Sequence, residues 1–505
     1  MKRRHAGQGC HIAPRWGQRE FGVEHASMAE HRQHATTMTN VGRGGAINRR
    51  MLGLWLQRST RLLPFADAAS PTLPLSRLLR LALIQVSVGM SLTLLVGTLN
   101  RVMIVELRVP AGLVGVMLSL PLLFAPLRAL VGHKSDNHQS ALGLRRIPYI
   151  FRGTMVQFGG LALMPFALLV LAGSLQANMA PAWIGQSTAA LAILLVGAGI
   201  HITQTVGLAL ATDLAPEADQ PNVVGLMYVM LLVGSIVSAL LFGAFLVDFS
   251  PGRLIQVIQG SAVITVILNF AALWKQEPRR PHYLRTAPEP VPPTFRQSWD
   301  SYAAQPDAVP RLVAVGLGTL AFSMADILLE PYGGQVLGLG VGATTKLTAS
   351  FAGGALLGFT LASRVLSRGA DPFRMAAAGA VIGIPAFMIV IAAAPMQSPE
   401  LFVLGVILTG FSSGLFGHGT LTASMNAAPK DQVGMAMGAW GTVQATAAGM
   451  GAALAGIIRD VVAAQALPMP WPVAANGYVA VYMLEIGLLL STLLAIGPLL
   501  RKPKR

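Results

Sequence analysis

The segment NVVGLMYVMLLVGSIVSALLFGAFLV, residues 222–247, runs for 26 residues without a charge. As an α-helix it is about 39 Å long, more than the ~30 Å hydrocarbon layer of a bilayer. Lipid offers no partner to peptide N–H or C=O groups, so a segment of this kind must close its own hydrogen bonds as a helix. Outward from it the pattern recurs. Apolar stretches at about 81–105, 111–131, 147–172, 187–212, 222–247, 253–274, 309–330, 343–366, 374–395, 400–424, 432–458 and 477–500 give an all-α polytopic membrane protein with twelve transmembrane helices.

Composition agrees. Hydrophobic residues make up 53% of the 505, charged residues 11%, and mean hydropathy is +0.59, which excludes a set of soluble domains. A net charge of +16 would point to nucleic acid in a soluble protein. Here the basic residues gather on one side of the spans, so no nucleic-acid partner is expected. Lys134, Arg145, Arg146, Lys275, Arg279, Arg280, Arg364, Arg368, Arg374 and Lys430 share that side with the tail 501–505, against Arg101, Arg108, Arg253, Lys346 and Arg459 opposite. By the positive-inside rule both termini are cytoplasmic, beside anionic lipid. Cys10 is the single cysteine, so neither a disulfide framework nor a Cys-based metal site is expected. No apolar core with a cleavage site precedes the first span, so a cleaved signal peptide is not expected either.

The flanks divide the chain further. Residues 1–50 are polar and His/Arg-rich and read as a disordered cytoplasmic extension. Residues 51–80 read as an amphipathic interfacial segment, with Met51, Leu52, Leu54, Trp55, Leu62 and Leu63 interleaved with Gln57, Arg58 and Arg61. The connector 275–308 contains Pro288-Glu289-Pro290-Val291-Pro292-Pro293, a stiff linker that separates six helices (81–274) from six (309–500). The halves repeat. Asp213-Leu214-Ala215-Pro216-Glu217, Asp219-Gln220 and Val224-Gly225-Leu226-Met227 are answered by Asn426-Ala427-Ala428-Pro429-Lys430, Asp431-Gln432 and Val433-Gly434-Met435.

Ionisable groups inside spans are disfavoured by ~2.5–3.5 kcal/mol and normally face protein. They are Arg101, Arg128, His201, Asp326, Glu330, His418 and Glu485. Asp326 and Glu330 are one turn apart on one face. Arg101 and Glu106, five apart, point in different directions on an α-helix and should not pair. The pairs Gly354/Gly358, Gly410/Gly414 and Gly434/Gly438 allow close helix approach, with a flat slot for a planar ligand as the alternative. No Walker-type phosphate loop and no Ser/His/Asp constellation stands out, so no enzyme is expected.

Two six-helix halves, with Gly132-His133-Lys134-Ser135-Asp136 and Arg145-Arg146 before the third helix, resemble the major facilitator superfamily; the basic pair is displaced towards that helix. Four stretches are more specific: 97–107 (GTLNRVMIVEL), 140–150 (SALGLRRIPYI), 199–216 (GIHITQTVGLALATDLAP) and 326–334 (DILLEPYGG). Together they resemble the bacteriochlorophyll delivery family of PucC/LhaA-type proteins, over a region from about residue 63 to the C-terminus. The resemblance implies a bacterial inner, photosynthetic membrane protein that assists assembly of light-harvesting complexes. Its ligand would be bacteriochlorophyll or a precursor, and its partners the antenna α/β polypeptides and the reaction centre. Candidate pigment contacts are His201, Gln204, Thr205, His418 and Asn100, with neutral His201 as an axial ligand to the pigment magnesium and no metal held directly. The superfamily architecture brings helices 1 and 7 together, so Arg101 is expected to pair with Asp326 or Glu330. Asp136, Arg145 and Arg146 complete the gating set. A gradient-driven carrier of a metabolite or drug is the alternative, and a pigment-free scaffold a third.

Overall fold

Pro74, extended at φ −64° and ψ 150°, opens the first span, and helix α1 then runs from Leu75 to Glu106. It begins six residues earlier than hydropathy alone places it. Residues 75–80 run on into that helix, and Arg77 is held to the residues that follow the sixth span: its Nε donates to Gln276 Oε1 at 3.0 Å and its Nη2 to the Gln276 carbonyl at 2.6 Å. A computed structural model describes residues 73–500, except 124–130, 132–133, 136–143, 173–180, 217–218, 279–298, 301, 306, 428–432, 466–467 and 470. The N-terminal extension, the segment 51–72, the Pro-rich stretch, the basic tail and Asp136 lie outside the described residues.

The remaining helices are α2 (Ala111–Leu123), α3 (Ile147–Leu171), α4 (Ala182–Leu214), α5 (Gln220–Phe245), α6 (Pro251–Leu273), α7 (Ala308–Gln335), α8 (Val341–Leu366), α9 (Pro372–Met396), α10 (Pro399–Ala427), α11 (Val433–Ala463) and α12 (Asn476–Leu500). Eleven are long and apolar enough to cross a bilayer; α2 is shorter as described. Their starts follow local rules. Pro148, Pro221, Pro251 and Pro372 occupy first-turn positions where no amide hydrogen is needed. Ser250 caps α6, and Asp371 Oδ1 accepts from the amides of Phe373 and Arg374 to cap α9.

The packing order repeats with an offset of six. α3 packs along α4 as α9 packs along α10, and α1 lies against α5 as α7 lies against α11. α6 covers α1 and α3 as α12 covers α7 and α9. Two further pairs, α2–α11 and α5–α8, cross between the halves and are related by the same offset. The outer wall carries large apolar side chains facing away from protein, among them Phe166, Phe245, Ile267, Leu357, Met388 and Leu494. Lipid is the solvent that tolerates this.

Where the hydrophobic effect cannot drive association, close backbone approach does. A Cβ on Gly354, Gly358, Gly410 or Gly414 would overlap the carbonyl oxygen of Ile407, Phe411, Phe351 or Ala355. These four glycines are therefore consumed by the α8–α10 contact, and no flat slot is left at them. In the first half, polar side chains add to the packing. Ser87 Oγ donates to Asn269 Oδ1 at 2.7 Å, Asn269 Nδ2 to Thr154 Oγ1 at 2.9 Å, and Gln157 Nε2 to Ser91 Oγ at 2.5 Å, tying α1, α3 and α6.

Gly358→Leu is expected to destabilise the purified protein by about 1–3 kcal/mol, read as a lower thermal midpoint in detergent. Gly353→Ala, within α8 at a position where a Cβ meets nothing within 4 Å, should leave that midpoint unchanged or raise it slightly.

Candidate functional site

The site is built at the seam between the two halves. At the end opposite the start of α1 and the finish of α12, the seam is closed by backbone. A Cβ on Gly115 or Gly456 would overlap the carbonyl oxygen of Ala452 or Ala111, so α2 and α11 touch main chain to main chain. Gly243 and Gly342 do the same for α5 and α8: a Cβ on either would sit within 2.9 Å of the other's carbonyl oxygen. Asp460 Oδ2 on α11 accepts the Gly112 amide at 2.7 Å, satisfying a first-turn N–H of α2 from the opposite half.

Helix α1 crosses this closure in an unusual form. Residues 93–99 and 102–106 are π-helical, with hydrogen bonds five residues apart. That corrects the expectation for Arg101 and Glu106. The wider turn brings residues five apart onto one face, and the Arg101 guanidinium forms an ion pair with the Glu106 carboxylate. Arg101 is 3% exposed and also donates to the Leu339 carbonyl at 3.1 Å. It pairs with neither Asp326 nor Glu330. Glu330 instead accepts a hydrogen bond from Thr348 on α8, in space left by Gly97, while Arg101 lies within electrostatic reach. Asp326, one turn away, neighbours Glu485 on α12, so the two carboxyl groups of α7 serve different surroundings.

Asn100 is also corrected. It is fully buried and its Nδ2 donates to the Ile327 carbonyl at 2.6 Å, so it joins α1 to α7 and offers no surface to a pigment. The Thr98 and Thr345 hydroxyls, 3.4 Å apart, add a contact to α8.

At the opposite end a second ionic cluster holds α3, α4 and the residues after α6. Glu277 accepts the backbone amides of Arg145, Arg146 and Ile147 at 2.8–3.1 Å, capping α3 with a carboxylate where the helix dipole favours one. Arg145 Nη2 and Arg146 Nε reach Asp213 Oδ2 at 2.5 and 2.9 Å, and Arg146 Nη1 donates to Ser135 Oγ at 2.7 Å. Arg145 and Arg146 are thus brought together on the carboxylate that ends α4. Asp136 lies outside the described residues.

Between these ends, His201, Gln204 and Thr205 stand on one stripe of α4 with Leu208 and Thr212, all partly accessible. Neighbouring helices cover the other faces: Gly197 meets Pro121, Gly199 meets Gln157, Thr203 meets Gly153 and Gly207 meets Ile84. Among the described residues α4 makes no extensive contact with the second half, nor α10 with the first. Among the described residues this stripe lies on the face of α4 turned to the recess between the halves, whose far end the glycine contacts close. His418, half-buried on α10, packs its ring on Phe359 with centroids 4.2 Å apart. A separate hollow of about 530 Å³ on the outer wall, lined by Leu241, Phe245, Arg253 and Ile264, includes none of these candidates.

The sequence reading missed Glu277, Asp213 as an arginine partner, Asp460, and the network in which Arg459 and Tyr478 both donate to Gln335. The signal available for them was polarity within or beside apolar spans; their partners are 67 to 348 residues away in the chain.

Two pseudo-repeated six-helix halves, meeting through α2–α11 and α5–α8 around a recess, define a polytopic membrane protein of the major-facilitator architecture. A single-residue mutant of the nucleoside transporter NupG shares this fold at a TM-score of 0.63 and 14% identity, over 84% of this chain and all of that one. Within that class the family described as PUCC protein matches residues 98–503, and the chain belongs to it. It is 63% identical to Protein PucC of Rhodovulum sulfidophilum over 80% of this chain and 89% of that protein. With Protein PucC of Cereibacter sphaeroides it shares 56% identity over 87% of this chain and 95% of that one.

Glu106→Ala strands the buried Arg101 charge and should lower stability by about 1–3 kcal/mol. The exchange Arg101→Glu with Glu106→Arg should recover less than half of that loss in thermal unfolding, because the burial at 101 is not symmetric with that at 106. Glu277→Gln should speed hydrogen exchange at the amides of 145–147 several-fold while leaving the middle of α3 protected.

Proposed function

We propose that the protein assists assembly of light-harvesting complexes by holding bacteriochlorophyll, or a precursor, in the recess between its halves and passing it to antenna α/β polypeptides. The observation that carries this reading is the accessible α4 stripe of His201, Gln204 and Thr205 at mid-span, facing a recess sealed at one end by glycine contacts. A tetrapyrrole macrocycle is flat, apolar and too large to pass the sealed end, so loading and release belong to the opposite end or to the bilayer beside it. His201 supplies an imidazole to the pigment magnesium, and Gln204 and Thr205, three and four residues on, address its carbonyl groups. His418 stands on the opposite wall as a second contact.

The placement that goes with this role is the intracytoplasmic photosynthetic membrane of a bacterium, with both chain ends in the cytoplasm and the reaction centre as a further neighbour. Membership of the PucC family supports it, as does the concentration of basic residues at the end that carries the termini. The protein acts by binding and positioning, without covalent chemistry.

Full-length protein purified from phototrophic membranes should carry pigment with red absorbance bands, and His201→Ala should lower the pigment-to-protein ratio several-fold. Deleting the gene should remove antenna absorbance while pigment synthesis continues. Pigment-free protein together with unaltered antenna complexes in the deletion strain would favour a metabolite carrier instead.

A further inference from the structure

The second half contains a charge imbalance that the pigment reading does not use. Glu485 is midway along α12, 0% exposed, and neither carboxyl oxygen has a hydrogen-bond partner. The Tyr482 hydroxyl, one turn earlier and also fully buried, is unpartnered and lies within electrostatic reach of Glu485. Asp326 on α7 lies within the same reach. Asp326 is exposed, so it gives the cluster a route to the outside.

Among the described residues no cation balances these groups. α9 packs on α12 and presents Phe387 to Tyr482, and no titratable side chain lies between residues 375 and 396. α7 presents Asp326 and Tyr332; the Tyr332 hydroxyl is spent on the Val390 carbonyl at 3.0 Å. Glu330 is taken by Thr348. α11 presents Arg459 and Asp460, but Arg459 is engaged by Asp460 and Gln335 and lies over the Tyr478 ring. An isolated carboxylate taken out of water is destabilised by several kcal/mol, and a second one beside it adds repulsion. Glu485, fully buried and without a hydrogen-bond partner, therefore needs a positive charge from outside the chain.

We propose that Asp326, Glu485 and Tyr482 form a binding site for a small monovalent cation, a proton or a sodium ion, between α7 and α12. The two carboxyl groups supply the charge, the phenol oxygen supplies a further ligand or relay, and Asp326 exchanges the ion with the recess. α7 also carries Glu330 and the Ile327 carbonyl at the inter-half seam, so occupancy on one face of α7 is felt at the closure on the other. The site stands independently of what the recess carries.

Two measurements on full-length detergent-purified protein separate the sources. A proton gives an infrared carbonyl band of a protonated carboxylic acid that disappears in Glu485→Gln. Sodium gives a thermal midpoint that rises with NaCl but not with choline chloride, and that dependence disappears in Glu485→Gln. Tyr482→Phe should shift the band or weaken the sodium dependence, and Asp326→Asn should slow proton–deuteron exchange of the band or abolish the sodium effect. Should Glu485→Gln fail to fold, the Asp326→Asn and Tyr482→Phe variants carry the test. Absence of both signatures in the unsubstituted protein, or their persistence unchanged in the variants, overturns the proposal. Neither outcome depends on whether pigment co-purifies.

Discussion

A peptide group in hydrocarbon has no water to turn to, and this constraint governs the whole molecule. It makes every span a helix, and it lets helices associate only where surfaces approach closely enough for dispersion and weak polar contacts to act. The glycines on α8 and α10 bring main chain against main chain, as do Gly115 and Gly456 between α2 and α11. The two uses differ in consequence. The α8–α10 contact is internal to one half and fixes its shape. The α2–α11 and α5–α8 contacts lie between halves, where the same close approach seals one end of the recess.

The same constraint decides where charge can be placed. Arg101 sits at 3% exposure in the closed end of the seam because the π-helical turns of α1 deliver Glu106 to it and α7's exit loop delivers the Leu339 carbonyl. One carboxyl oxygen of Glu330 accepts from a hydroxyl on α8. Asp213 and Glu277 anchor the other end through arginines and helix-terminal amides. Each of these ionic groups thus has a named partner in the protein, which leaves Glu485 conspicuous as a buried carboxyl group with no hydrogen bond to either oxygen.

Much of the fold was legible in the sequence because lipid imposes a length and a polarity on every span; of the twelve expected segments eleven meet it, and α2, as described, is shorter. The duplication was legible because Asp213–Gln220 and Asn426–Gln432 end corresponding helices with the same Asp/Asn, Pro and Gln placement. The packing glycines of α8 and α10 were legible from their four-residue spacing, whereas a Cβ on Gly438 would meet nothing within 4 Å. The ion pair at Arg101 was not, because spacing arguments assume 3.6 residues per turn and α1 departs from that over residues 93–106. Asn100 was misread for a related reason: polarity marks a residue as needing a partner, but does not say whether that partner is a ligand or the Ile327 carbonyl.

By itself the sequence determined that the chain crosses the bilayer many times, which segments are apolar helices, and that the second half repeats the first. These follow from hydropathy and local spacing, which are properties of neighbours in the chain. Only the tertiary structure decided which carboxyl group meets which arginine, which end of the seam is shut, and which face of α4 is left uncovered. Those depend on contacts between residues up to 348 positions apart, and no local pattern encodes the rotation of one helix against another.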